Sequence, residues 1–89
     1  MSVYDKCKKQ DDDIKKTERQ MDVVYSEFKQ RTDDFNNERD KQDVPPNYQL
    51  LKQLEAAKNE KWVEYVRLGE KRLEAFDKWM KCIENNISN

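Results

Sequence analysis

Cys7, Cys82, the run Asp11-Asp12-Asp13 and the tryptophans Trp62 and Trp79 are the residues from which chemistry or recognition would have to be built. The two cysteines are the only thiols in a chain without histidine, so a zinc site with its usual complement of sulfur and nitrogen ligands cannot be assembled. As a pair they have two readings: a disulfide in an oxidising compartment, or two partly buried thiols in a reducing one. Three consecutive aspartates offer the oxygen ligands that hard cations take. Successive helical residues point about 100° apart, however, and three carboxylates arranged in that way do not converge on one ion. They read as a solvated acidic turn. Asn86-Ile87-Ser88 matches a glycosylation acceptor, which has meaning only in a secreted chain.

The inventory for catalysis is thin. A general base would have to be a carboxylate, a lysine or a tyrosine, and no glycine-rich loop exists to cradle phosphates. Paired helices enclose no cavity of ligand size. The expectation is a chain that is not an enzyme, with no catalytic, cofactor-binding or metal-binding residues and no cofactor.

These residues sit in 89 positions of which 42% are charged and 35% apolar, with one glycine and two prolines. So few helix breakers among so many Lys, Glu, Asp and Gln residues point to long helices and an all-α fold. Nine aromatics at regular spacing argue against the disordered state that such polarity would otherwise suggest. The 18 basic and 19 acidic residues are interleaved, which leaves no cationic field for nucleic acid. No apolar run approaches the length of a membrane span. The N-terminus becomes charged by Asp5, which does not fit a leader peptide. The expected location is therefore intracellular, in the cytoplasm.

The strongest punctuation is Val44-Pro45-Pro46-Asn47, near the midpoint. Two prolines remove two backbone donors and push the preceding residue out of the helical region. The organisation expected over residues 1–89 is one helical hairpin, with helices at about 3–41 and 48–86 and a turn at about 42–47. Ser2 and Asp5 form a capping-box pattern at the first start, and Asn47 is a good cap for the second.

Along the first segment Cys7, Ile14, Met21, Phe28 and Phe35 recur at seven-residue intervals, accompanied by Gln10, Thr17, Val24 and Arg31. That is the seam of a left-handed coiled coil. The second segment carries two stripes. One is Trp62, Val66, Gly69, Leu73, Phe76, Met80, Ile83 and Ile87; the other is Tyr65, Leu68, Arg72, Ala75, Trp79 and Cys82. The first stripe is out of phase with Leu50, Leu51 and Leu54, which predicts a stutter near Lys58.

If the chain folds back at the prolines, paired residues have numbers with a constant total. Phe28 with Trp62, Met21 with Gly69, Ile14 with Phe76 and Cys7 with Ile83 all total 90, which centres the turn on Pro45. The expected architecture is thus a long antiparallel, coiled-coil-like helical hairpin with Trp62 in its core and both cysteines at its open end. Gly69 makes room for Met21 or for close helix approach.

Helix two has more apolar surface than helix one can cover, and each large side chain left in water forfeits about 1.5–3 kcal/mol. Dimerisation into a four-helix bundle, or a partner, would complete the structure. The stripe containing Tyr65, Leu68, Ala75 and Trp79 is expected to face that partner. The function expected is a protein–protein interaction module, a structural or adaptor subunit acting as a homodimer or in a hetero-assembly. The alternative is a small helical regulator, an inhibitor or chaperone-like protein seated in a groove on its target. Binding to membrane surfaces fits poorly, because the polar face of helix two mixes Glu with Lys.

Overall fold

The computed structural model describes residues 2–87, and among them all regular structure is helical. The elements are α1 (Val3–Lys6), α2 (Lys8–Arg39) and α3 (Tyr48–Ile87), and the fold is an antiparallel helical hairpin. Two compact units can be distinguished, one formed by Met1–Met21 with Arg67–Asn89 and the other by Asp22–Val66. Both long helices pass through both units.

The first helical arm begins at the capping box expected from its sequence. Ser2 Oγ accepts from the Asp5 N–H at 3.2 Å, and Asp5 Oδ2 accepts from the Ser2 N–H at 3.3 Å. The arm is not one continuous helix, because Cys7 interrupts it with φ −105° and ψ 19°, in the sparsely occupied bridge region. The Cys7 N–H still bonds back to Val3 and Tyr4, and its carbonyl accepts from the Asp11 N–H at 3.1 Å. The helix path therefore resumes at once as α2.

In the unit formed by the chain ends, Cys7, Ile14 and Thr17 are buried. Thr17 shows how a polar residue occupies a seam position: its hydroxyl donates to the Asp13 carbonyl one turn back, at 3.0 Å, which satisfies the hydroxyl within the helix. Across the seam, the Arg72 guanidinium is 3.5 Å from the Glu18 carboxylate, and Tyr4 stacks on Trp79 with centroids 6.4 Å apart. Met21 lies opposite Gly69 as the register requires. A Cβ added at Gly69 would meet the Met21 methyl at 3.8 Å, an ordinary van der Waals contact. The glycine is thus not needed for space.

The second unit contains the turn. The Asn47 side chain accepts from the Leu50 N–H at 3.1 Å and opens α3. Glu38, which no spacing singles out, is only 6% exposed. Its carboxylate accepts from the Asn47 N–H at 2.9 Å and from the Lys41 ammonium at 2.6 Å, so one buried side chain holds both sides of the proline segment. The seam of this unit is lined by aromatic rings at its margin. Phe28 meets Trp62 at 5.4 Å, Tyr25 meets Tyr65 at 5.6 Å, and Trp62 stacks on Tyr65 at 5.7 Å. Val24, one residue before Tyr25, is buried.

Two expectations follow from this packing. Gly69→Ala should stabilise the protein by about 1 kcal/mol, the propensity gain at an interior helical site with room for a methyl, measured as an increased urea midpoint. A decrease would mean that the helices approach more closely than 3.8 Å at this point. Glu38 gives a pH dependence. The Lys41 ammonium and then the Asn47 N–H favour its ionised form and hold its pKa below the ordinary glutamate value. Its contribution to stability is therefore complete above the unfolded-state value of about 4.3 and is lost as the pH falls through the lowered folded value. Thermal melts of wild type and Glu38→Gln should differ at neutral pH, and the gap should close on acidification below that range.

Candidate functional site

The surfaces of α3 follow from which of its two stripes meets the first arm. Leu51, Leu54, Lys58, Lys61, Tyr65, Leu68, Arg72, Ala75, Trp79, Cys82 and Asn86 are all partly buried, and they form one unbroken line alternating by three and four residues. The stutter expected near Lys58 is absent from this line. The charged positions on it are accommodated by the facing arm: the Lys58 ammonium lies 4.7 Å from the Phe35 ring centroid, and Lys61 is 2.8 Å from the Glu27 carboxylate.

Tyr65, Leu68, Ala75 and Trp79, expected at an intermolecular surface, thus lie on the half-buried seam side of α3. Tyr65 contacts Tyr25, Trp79 contacts Tyr4 and Phe76, and Ala75 borders a groove shared with α2. The other stripe is the more exposed of the two, although Gly69 and Ile83 on it are partly buried. Leu73 is 64% exposed, Phe76 41%, Met80 38% and Ile87 69% in the first unit, and Trp62 is 47% and Val66 42% exposed in the second. Trp62 does meet Phe28, but at the edge of the seam, so it is not the enclosed core residue its spacing suggested. Relative to the expected arrangement, the axial register of the helices is kept and α3 is rotated about its own axis.

The groove beside Ala75 has a volume of about 280 Å³ and is lined by Gln10, Asp13, Lys16, Thr17, Gln20, Lys71, Glu74 and Lys78. Its charges are mixed in sign, and its one hydroxyl is bonded to the backbone. Asp11 is ion-paired with Lys15 at 3.0 Å and Asp12 with Lys8 at 3.8 Å, so these neighbouring carboxylates are directed to different lysines. Where neighbours shift a side chain's pKa, they favour its charged form. Asp11 raises Lys15, Glu27 and Glu64 raise Lys61, and Arg39 lowers Asp40. These groups are ion-pair members, shifted away from the near-neutral values that general acid–base catalysis uses. Among the described residues no helix is long and apolar enough to cross a membrane.

Cys7 and Cys82 are joined in a disulfide, with Cα atoms 6.0 Å apart and 75 residues of separation. Cys7 is fully buried. Asn86 closes over the bond: its side-chain amide donates to the Cys82 carbonyl at 2.8 Å and lies 3.6 Å from Cys82 Sγ. The sequon asparagine is therefore engaged in the fold, while Ser88 of the same sequon lies outside the described residues. In the chain-entropy treatment, a loop of this length stabilises the native state by about 4 kcal/mol. Reduction, or Cys82→Ser, should accordingly lower the unfolding free energy by about 2–4 kcal/mol, read from denaturant curves. Alkylation of the native, unreduced protein should label neither cysteine; labelling of both would show that the bond is not formed. No family model, curated protein or solved structure matches the chain.

Proposed function

We propose that this chain is a non-enzymatic protein–protein interaction module, a structural or adaptor subunit that docks through the outward face of α3. The observation that carries the reading is the exposure of Leu73, Phe76 and Met80, which alternate by three and four residues on a helix whose neighbouring stripe is already used within the hairpin. Apolar residues at this spacing along one helix form the pattern by which helices recognise helices. Exposed singly they would need no explanation; in register they make a continuous surface.

The Cys7–Cys82 bond supports an oxidising compartment for this module and weighs against the cytoplasmic location expected from the sequence. It also ties the N-terminal turn to the end of α3. That tie reduces fraying of the segment that presents Phe76, Met80 and Ile87, and a preorganised surface loses less entropy when it binds.

A photo-cross-linking residue placed at Leu73 or Met80 tests the reading in the native cell against one placed at Lys71, which borders the groove on the other side of α3. Cross-linking to one discrete protein is expected from the first two positions and not from the third. Leu73→Asp should abolish it with little change in helicity or melting temperature, because the side chain is largely in solvent. Equal cross-linking from both faces would overturn the proposal.

A further inference from the structure

We infer that the turn carries a second docking site, Pro45-Pro46-Asn47-Tyr48, for a domain of the WW type, which reads polyproline II segments in an aromatic-lined groove. The inference is independent of docking through α3. Two prolines are enough to end α2 and set the bend; the tyrosine two residues further on is not required by it. A polyproline II helix has about three residues per turn, so Pro45 and Tyr48 fall on one edge of such a segment. Pro-Pro-x-Tyr is a spacing that WW-type grooves accept, with the prolines against aromatic rings and the tyrosine in an adjoining pocket. The other common reader of this backbone, the SH3 type, takes Pro-x-x-Pro. The two prolines of this chain are adjacent, so that pattern is absent.

The structure leaves this segment open and holds it in place. Pro45, Pro46 and Asn47 lie between α2 and α3 in no regular structure, and both prolyl bonds are trans, as in polyproline II. The rings fix φ and remove both N–H groups, so the segment offers a partner its carbonyls and side chains. Among the described residues neither proline carbonyl accepts a backbone hydrogen bond. Pro45 is exposed, Val44 is 55% exposed and Tyr48 70%. No hydrogen bond, ion pair or ring contact among the described residues engages the Tyr48 side chain. Asn47 is used differently: its N–H donates to the buried Glu38 and its side chain caps α3 at Leu50. The fold therefore anchors the segment through the position that the Pro-Pro-x-Tyr pattern leaves unspecified. A segment anchored in this way loses less entropy when it binds. The unit that contains it contains neither cysteine.

A fluorescently labelled, isolated WW domain that recognises Pro-Pro-x-Tyr peptides tests this, titrated with the full, oxidised chain and followed by anisotropy. Saturable binding is expected, displaced by a free Pro-Pro-x-Tyr peptide, and an SH3 domain under the same conditions should not bind. Tyr48→Ala should weaken WW binding by about tenfold or more, as loss of a buried aromatic anchor does. Its helicity should be unchanged, because the ring is largely in solvent. Pro45→Ala, which leaves Tyr48 and the Asn47 cap in place, should weaken it as well. Leu73→Asp, on the α3 face, should not alter it, which separates this site from the one proposed above. Absence of saturable binding, equal binding by the SH3 domain, or full affinity in Tyr48→Ala would overturn the inference. Loss of binding in Leu73→Asp would place the contact on α3 and overturn it too.

Discussion

Two long helices have only one shared line along which they can exclude water from each other, and the rest of this structure depends on where that line runs. On the first arm it follows Cys7, Ile14, Thr17, Met21, Val24 and Phe28. On α3 it must keep step with that arm for the whole length of the helix, so its heptad phase cannot change without unwinding the pair. The line through Tyr65, Leu68 and Trp79 satisfies this condition, because it runs back without a break into Leu54 and Leu51. The richer stripe through Trp62, Leu73 and Phe76 does not. Continuity of phase outweighs local hydrophobicity, and the more apolar stripe is left the more exposed of the two, with Leu73, Phe76 and Met80 in solvent contact.

That choice explains residues that otherwise look misplaced. Lys58, Lys61 and Arg72 lie on the seam, where a cation would be costly without a partner. Each finds one on the facing arm: a phenylalanine ring, Glu27 and Glu18. Their aliphatic stems cover apolar surface while the charged ends reach the seam's margin. Thr17 and Thr32 solve a smaller version of the same problem by donating to the carbonyl one turn back. With so many polar groups along it, the seam buries few side chains completely, which is why ties at both ends matter. Glu38 binds the two sides of the proline turn, and the disulfide closes the opposite end of the chain.

Several of these features were legible beforehand because they depend on local chemistry. Two adjacent prolines must end a helix, Ser2 with Asp5 and Asn47 must cap one, and the residue totals placed Met21 against Gly69 and Phe28 against Trp62. The same totals brought the two cysteines to one end. Glu38 left no such signal, since a buried carboxylate that accepts from a backbone N–H nine residues away cannot be distinguished by spacing from the many solvated ones. Gly69 was legible as a weak point in a helix, but the free space beside it was not.

The sequence by itself determined the helices, the position of the bend and the axial register, since backbone sterics and a seven-residue repeat do not depend on what lies across the seam. Only the tertiary structure decided the rotation of α3 about its own axis. A helix with an apolar arc nearly half its circumference can present either of two stripes to its neighbour. The difference between them depends on the particular partners that Lys58, Lys61 and Arg72 find on the first arm. Those are contacts between residues far apart in the chain, and they determine that Leu73, Phe76 and Met80, rather than Tyr65, Leu68 and Trp79, form the outward surface of the protein.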